Sequence, residues 1–276
     1  MTDTPSLAAA LALPFVQNAL AIALLASVLC GVLGVFVVTK RVAFLGDGIS
    51  HAAFGGLGVC AFLGVDPRLG AVVVAVLCAL LLGALGNDRM RSHDALIGLL
   101  YAAGMAIGIL FVHKTPGYVP NLMNYLFGNL LLASRADAWL TLALAGTVLL
   151  VVWVLRKGLL AAAFDETFAF VQGVPVRALF TLLLVLIALT VVLLIQVVGV
   201  ILVVALLTIP PLAGRAVART FGGMVGAAVV CSLAGTLGGL WLSYRFDLPT
   251  GPAIILAGIG VLALVTAGAR VARRRA

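Results

Sequence analysis

The stretch ALFTLLLVLIALTVVLLIQVVGVILVVALLTIPPLA, residues 178–213, runs for 36 residues without a charged side chain. A helix that crosses a hydrocarbon core about 30 Å thick uses about 20 residues, at about 1.5 Å each. The stretch is too long for one crossing and long enough for two short ones. Gln196 and Gly199 stand near its middle and Pro210-Pro211 near its end, so it divides into spans at 178–195 and 199–213. Lipid offers exposed backbone groups no partner, so the spans are helical and the fold class is all-α and polytopic.

Outward from this stretch the apolar runs repeat. Before it lie 15–38, 45–64, 69–86, 95–112 and 137–155; after it lie 223–243 and 253–268. The chain reads as about nine transmembrane helices (eight to nine). They form one transmembrane domain over 1–276, interrupted by a semi-polar insertion at 158–177. A short apolar stretch, YLFGN (125–129), is placed at the membrane interface. Composition agrees: 64% of residues are hydrophobic and 9% charged, where soluble domains carry about 25% charge. That excludes a soluble enzyme, a disordered chain and a disulfide scaffold. Cys30, Cys60, Cys78 and Cys231 all sit in apolar runs without metal-ligand spacing, so they read as small packing residues. No Lys or Arg precedes Lys40, so the first run reads as a true span rather than a cleaved signal.

The net charge of +8 bears on topology rather than on nucleic acid. With the N-terminus outside and nine spans, thirteen of the seventeen Lys and Arg fall on the inner face. Only Arg68, Lys114, Arg135 and Arg245 fall outside. The tail, ending Arg273-Arg274-Arg275, is then cytoplasmic. If 178–213 were one span, the later loops would change sides and this bias would be lost.

Polar residues inside the spans carry the chemistry. Asp47 and His51 are four residues apart and share one helix face. They follow Lys40-Arg41 by enough residues to lie well inside the bilayer, where an Asp costs at least about 2.5–3.5 kcal/mol unless it is paired or wet. A carboxylate oxygen and an imidazole nitrogen together suit a divalent transition metal such as zinc or manganese. The alternatives are an inter-helix hydrogen bond and a helix start capped by Asp47. His113, at the outer end of its span, Asp247, before Leu248-Pro249, and Gln196 are weaker candidates for an ion path; each also reads as an anchor, a turn or a cap. His93 reads as solvated and Asp66 as a turn.

In the insertion, Asp165 and Glu166 suit the first turn of a helix, Phe164, Phe168 and Val171 fall on one side, and Gly173 and Pro175 close it after Gln172. A short amphipathic helix on the inner face either rests on the bilayer or docks a cytosolic partner. The chain brings no ATP site of the phosphate-loop kind, because Lys40, Lys114 and Lys157 follow Thr39, His113 and Arg156 rather than Gly. No HExxH occurs, and Ser50 is adjacent to His51 rather than facing it, so the chain does not read as an enzyme.

Several blocks in order carry a resemblance: FVVTKRVAFLGDGISHA (36–52), YLFGNLL (125–131), AFVQGVPVRALFTLLLVL (169–186), VGVILVVALLTIPPLAGRAVART (198–220) and LSYRFDLPTGPAIIL (242–256). From about 15 to 268 the chain resembles the permease subunit of bacterial zinc/manganese ABC importers, the zinc-uptake type foremost. The resemblance implies a fold similar to that of vitamin B12-type importer permeases and a multi-pass protein of the bacterial inner membrane. It implies a homodimer, two cytosolic ATP-binding subunits that hydrolyse ATP, and an extracytoplasmic metal-binding protein. It also implies zinc, or else manganese or iron, as transported substrate, with no permanently bound cofactor. Asp47 and His51 fall on the family's intramembrane metal pair, and 164–174 falls on the helix that couples to the ATPase. Pro211 stands where relatives often carry a small residue. The contrasting expectation is a gradient-driven cation transporter that works without an ATPase.

Overall fold

A computed structural model describes residues 13–85, 93–115, 128 and 130–275, and among these the only regular structure is helix. Helix α1 (Pro14–Thr39) opens on Pro14 in its first turn, where a missing N–H costs nothing. Lys40 caps α1, and Arg41 turns the chain with a φ of 58°. Helix α2 (Leu45–Phe62) carries Asp47 and His51. Then come α3 (Pro67–Leu85), α4 (His93–Lys114), a 3-10 turn at Leu130–Leu132 and α5 (Arg135–Val154). The Ser134 and Asp137 side chains form a reciprocal capping box at the start of α5. Helices α6 (Arg156–Phe164) and α7 (Glu166–Val171) make the insertion, and α8 (Val176–Val198), α9 (Val200–Val217), α10 (Phe221–Phe246) and α11 (Thr250–Arg275) complete the fold.

Eight of these helices are long and apolar enough to cross a membrane. Helix α2, with 18 residues, stands outside that set because Asp47, His51 and five glycines dilute its hydropathy.

The long run divides at Gly199, which takes a φ of 91° and ψ of 155°, a region reserved for glycine. The chain reverses there. Val191 of α8 and Leu207 of α9 both reach Gly46: a Cβ built on Gly46 would lie 3.8 Å from Val191 Cγ2 and 3.3 Å from Leu207 Cδ1. On a continuous helix those two residues would be about 24 Å apart. Pro210 and Pro211 do not end α9, which continues to Val217. Pro211 has no N–H for the Leu207 carbonyl. That oxygen points instead at α1, where a Cβ on Gly34 would lie 2.4 Å from it, so the α1–α9 crossing requires glycine.

Helices α1 and α8 form the centre: 72% and 61% of their apolar windows are buried, against 11% for α4 and for α11. Ile22, Leu29, Leu33 and Phe36 of α1 and Leu184, Ile187, Leu194 and Ile195 of α8 are fully or almost fully buried in one apolar core. The Ser27 and Thr236 hydroxyls share a buried hydrogen bond of 2.7 Å between α1 and α10.

The insertion departs from expectation. It is two helices rather than one, divided at Asp165, whose carboxylate accepts from Phe168 N–H at 2.8 Å. Phe164 therefore ends α6 instead of sharing a face with Phe168 and Val171, and its ring meets Phe221 of α10 at 5.9 Å between centroids. Asp66 and Asp247 do sit in turns: Asp66 Oδ1 accepts from Arg68 N–H at 2.9 Å, and Asp247 is left-handed at the end of α10. The stretch 125–129, apart from Gly128, lies outside the described residues, as do Arg89 and Arg91.

Candidate metal-binding site

Asp47 lies in the first turn of α2, where a carboxylate opposes the helix dipole. One turn on, His51 Nε2 is 3.4 Å from Asp47 Oδ1. Gly46, the neighbour of Asp47, is wedged between the middles of α8 and α9, which sets the pair near mid-height of the bundle. The Asp47 side chain is 40% exposed and that of His51 12%. A carboxylate left against lipid there would be costly.

Glycine builds the second wall. Helices α2 and α4 touch backbone to backbone: a Cβ on Gly104 would lie 2.3 Å from Ala52 Cα, and one on Gly55 would lie 2.8 Å from the Gly104 carbonyl oxygen. This contact brings Tyr101 of α4 over His51, with ring centroids 4.3 Å apart and planes tilted by 59°. Tyr101 escapes a motif search, since its partner is on another helix; its signal is a tyrosine three residues before Gly104 in an otherwise apolar span. The Ser50 hydroxyl donates back to the Asp47 carbonyl at 2.7 Å, as Ser commonly does within a helix.

Among the described residues no third His, Cys, Asp or Glu joins the pair. His113 is exposed in the last turn of α4, Asp247 is exposed at the end of α10, and Gln196 is half-buried beside the α8–α9 reversal. The pair stands as one carboxylate and one imidazole, 3.4 Å apart.

The two ends of the bundle differ. At one end Lys40, α6, α7 and Arg177 gather, and Arg177 Nη2 donates to the Ala84 carbonyl at 2.6 Å. At the other, Arg68 Nη1 lies 3.5 Å from Asp137 Oδ1, near the α8–α9 reversal that packs on Gly128. Phe168, Phe170 and Val171 of α7 are exposed, while Ala169 is buried and anchors the helix; Phe170 adds an aromatic that the helical face did not predict. Gln172 closes α7, and Gly173 follows with a φ of 76°.

The model of the ABC 3 transport family matches residues 12–269. The chain is 33% identical over 250 residues, 91% of its length and 86% of the relative's, to the manganese transport system membrane protein MntC of Halalkalibacterium halodurans. It is 35% identical over 245 residues, covering 89% and 82%, to the chelated iron transport system membrane protein YfeD of Yersinia pestis. Its fold matches PsaBC from Streptococcus pneumoniae, solved in complex with Fab, at a TM-score of 0.81 and 30% identity over 92% of this chain and 91% of that one.

Proposed function

This chain belongs to the ABC 3 transport family, and from that premise we propose that it is the permease through which an ATP-driven importer moves a divalent transition metal into the cytoplasm. The observation that carries the proposal is the Asp47–His51 pair, a carboxylate oxygen and an imidazole nitrogen 3.4 Å apart near mid-height of a membrane bundle. An ion about 2.1 Å from both atoms would subtend them at an angle of about 108°, close to tetrahedral and within reach of a distorted octahedron.

Two ligands hold a metal poorly. A second copy of the chain, apposed at the α2–α4 edge, supplies Asp47 and His51 again and removes the carboxylates from lipid. Two carboxylates and two imidazoles accept zinc or manganese. The relatives are named for manganese and iron transport, so manganese comes first in the test, with zinc, the expectation of the sequence blocks, as its competitor.

The energy comes from two cytosolic ATP-binding subunits, because this chain has no Gly-Lys phosphate loop. Helix α7 offers them exposed Phe168, Phe170 and Val171. An extracytoplasmic binding protein delivers the ion at the Arg68–Asp137 end. The charge bias supports an orientation with the α7 end and the C-terminus in the cytoplasm and the N-terminus outside, and the importer role fits the inner membrane of a bacterium.

The test is uptake of radioactive manganese, and separately zinc, by cells lacking their own importers. The cells express this chain with its ATPase and binding protein, either wild type or His51→Ala. Vanadate-sensitive uptake lost in His51→Ala, with the protein present in the membrane, is the expected result. Uptake that ignores vanadate and follows the proton gradient would replace the proposal with a secondary transporter. Normal uptake by His51→Ala would remove the pair from the path.

A further inference from the structure

The Lys40 side chain is 10% exposed and holds three elements at once. Its ammonium lies 2.5 Å from Glu166 Oε1 on α7, donates to the Ala162 carbonyl of α6, and sits 5.6 Å from the centroid of the Phe180 ring on α8. The Ala162 carbonyl is among the last of α6, where the backbone lacks donors and a cation opposes the dipole. Glu166 opens α7. One charge therefore bridges the Asp165 joint that divides the insertion.

The other end of the same residue is the α1–α2 connection. Lys40 caps α1, Arg41 makes the left-handed turn, and Asp47 follows on α2 seven residues after Lys40. A left-handed non-glycine residue persists only where the surrounding structure holds it, so the Arg41 turn is a held connection of few residues. The only covalent steps between the α7 clamp and the metal pair are this turn and the first helical turn of α2.

We propose that Lys40 is the positioning residue that ties α7 to the helix carrying Asp47 and His51, so that movement of α7 by the ATPase reaches the metal pair. This rests on the permease function proposed above. A Lys40 that merely stabilised the fold would lower uptake and ATP hydrolysis together. A tie would lower the number of ions moved per ATP while hydrolysis continues.

The experiment uses proteoliposomes holding this chain with its ATPase and binding protein. It measures uptake of radioactive manganese, and separately zinc, against phosphate release. Lys40→Met removes the clamp and keeps the apolar stem, and ions per ATP are expected to fall about tenfold. Lys40→Arg restores the charge and is expected within about twofold of wild type. Glu166→Gln leaves the Ala162 bond, so a smaller loss of about threefold is expected, with no further loss when it is added to Lys40→Met, as coupled partners require. A wild-type ratio in Lys40→Met, or uptake and hydrolysis falling in proportion, overturns the tie. If Lys40→Met does not accumulate, Glu166→Gln decides, since Glu166 is exposed; a wild-type ratio there overturns the tie. Absence of ATP-dependent uptake in the wild-type complex would instead overturn the permease proposal, and the tie with it.

Discussion

The Tyr101 ring lies 4.3 Å from the His51 ring, centroid to centroid, across the contact between α4 and α2. In the proposed site His51 is one of two ligands, and the Tyr101 ring is the wall that holds Nε2 toward Asp47. Aromatic contacts of this kind contribute about 0.5–1.5 kcal/mol, a factor of about two to ten in an equilibrium constant. Tyr101→Ala is therefore expected to raise the KM for manganese or zinc uptake by that factor, and Tyr101→Phe to leave it near wild type. Concentration curves of radiotracer uptake decide it. Equal loss in both variants would assign the role to the hydroxyl instead of the ring.

The same wall depends on Gly104, where a Cβ would lie 2.3 Å from Ala52 Cα. The obstacle is backbone, which cannot rotate away. Gly104→Val is expected to cost about 1–3 kcal/mol or to push α4 off α2. Reduced accumulation in the membrane and a lower melting temperature in detergent should show it. Gly146→Ala is the control, because nothing lies within 4 Å of a Cβ there; it is expected to match or exceed wild type, as a helical Gly→Ala change does.

The sequence placed the helices better than it placed the contacts. Span length forces the division of 178–213, and Gly199 is legible as the break because it is the only glycine in that run. The ends were less legible. Pro210-Pro211 suggests a stop at 213, yet α9 runs on to Val217, with Gly34 of α1 leaving room for the Leu207 carbonyl that Pro211 cannot bond. Asp47 and His51 share a face by period alone. Tyr101 and Lys40 find their roles through partners on other helices, and a period in one helix says nothing of its neighbour. The insertion differs from its sequence reading for a local reason: Asp165 suits a first turn by composition, but it caps α7 and so ends α6 at Phe164.

If the second copy completes the site, the metal count per chain should be half-integral. Purified permease without its binding protein is expected to hold one manganese or zinc ion for every two chains at saturation, by elemental analysis after equilibrium dialysis. His51→Ala and Asp47→Asn should each abolish it, since removing one type of ligand leaves only two of the four donors. One ion per chain would mean that each Asp47–His51 pair draws its remaining ligands from water or from its own chain.

Gly199 sets the reversal on which the level of the pair depends, because Gly46 is held between Val191 and Leu207 only if α8 and α9 fold back on each other. At a φ of 91° and ψ of 155° a side chain is strained by about 1–3 kcal/mol. Gly128 packs against the same turn, with its Cβ position 2.3 Å from the Val198 carbonyl carbon, so the neighbouring backbone has no room to relax. Gly199→Ala is therefore expected to lower the melting temperature of the detergent-solubilised protein by several degrees. It should also cut uptake in cells, although residue 199 has no ligand to offer. A variant as stable as wild type, with full uptake, would mean that the chain reverses between Val198 and Val200 without this backbone conformation. The α8–α9 turn would then no longer be what fixes the height of Asp47.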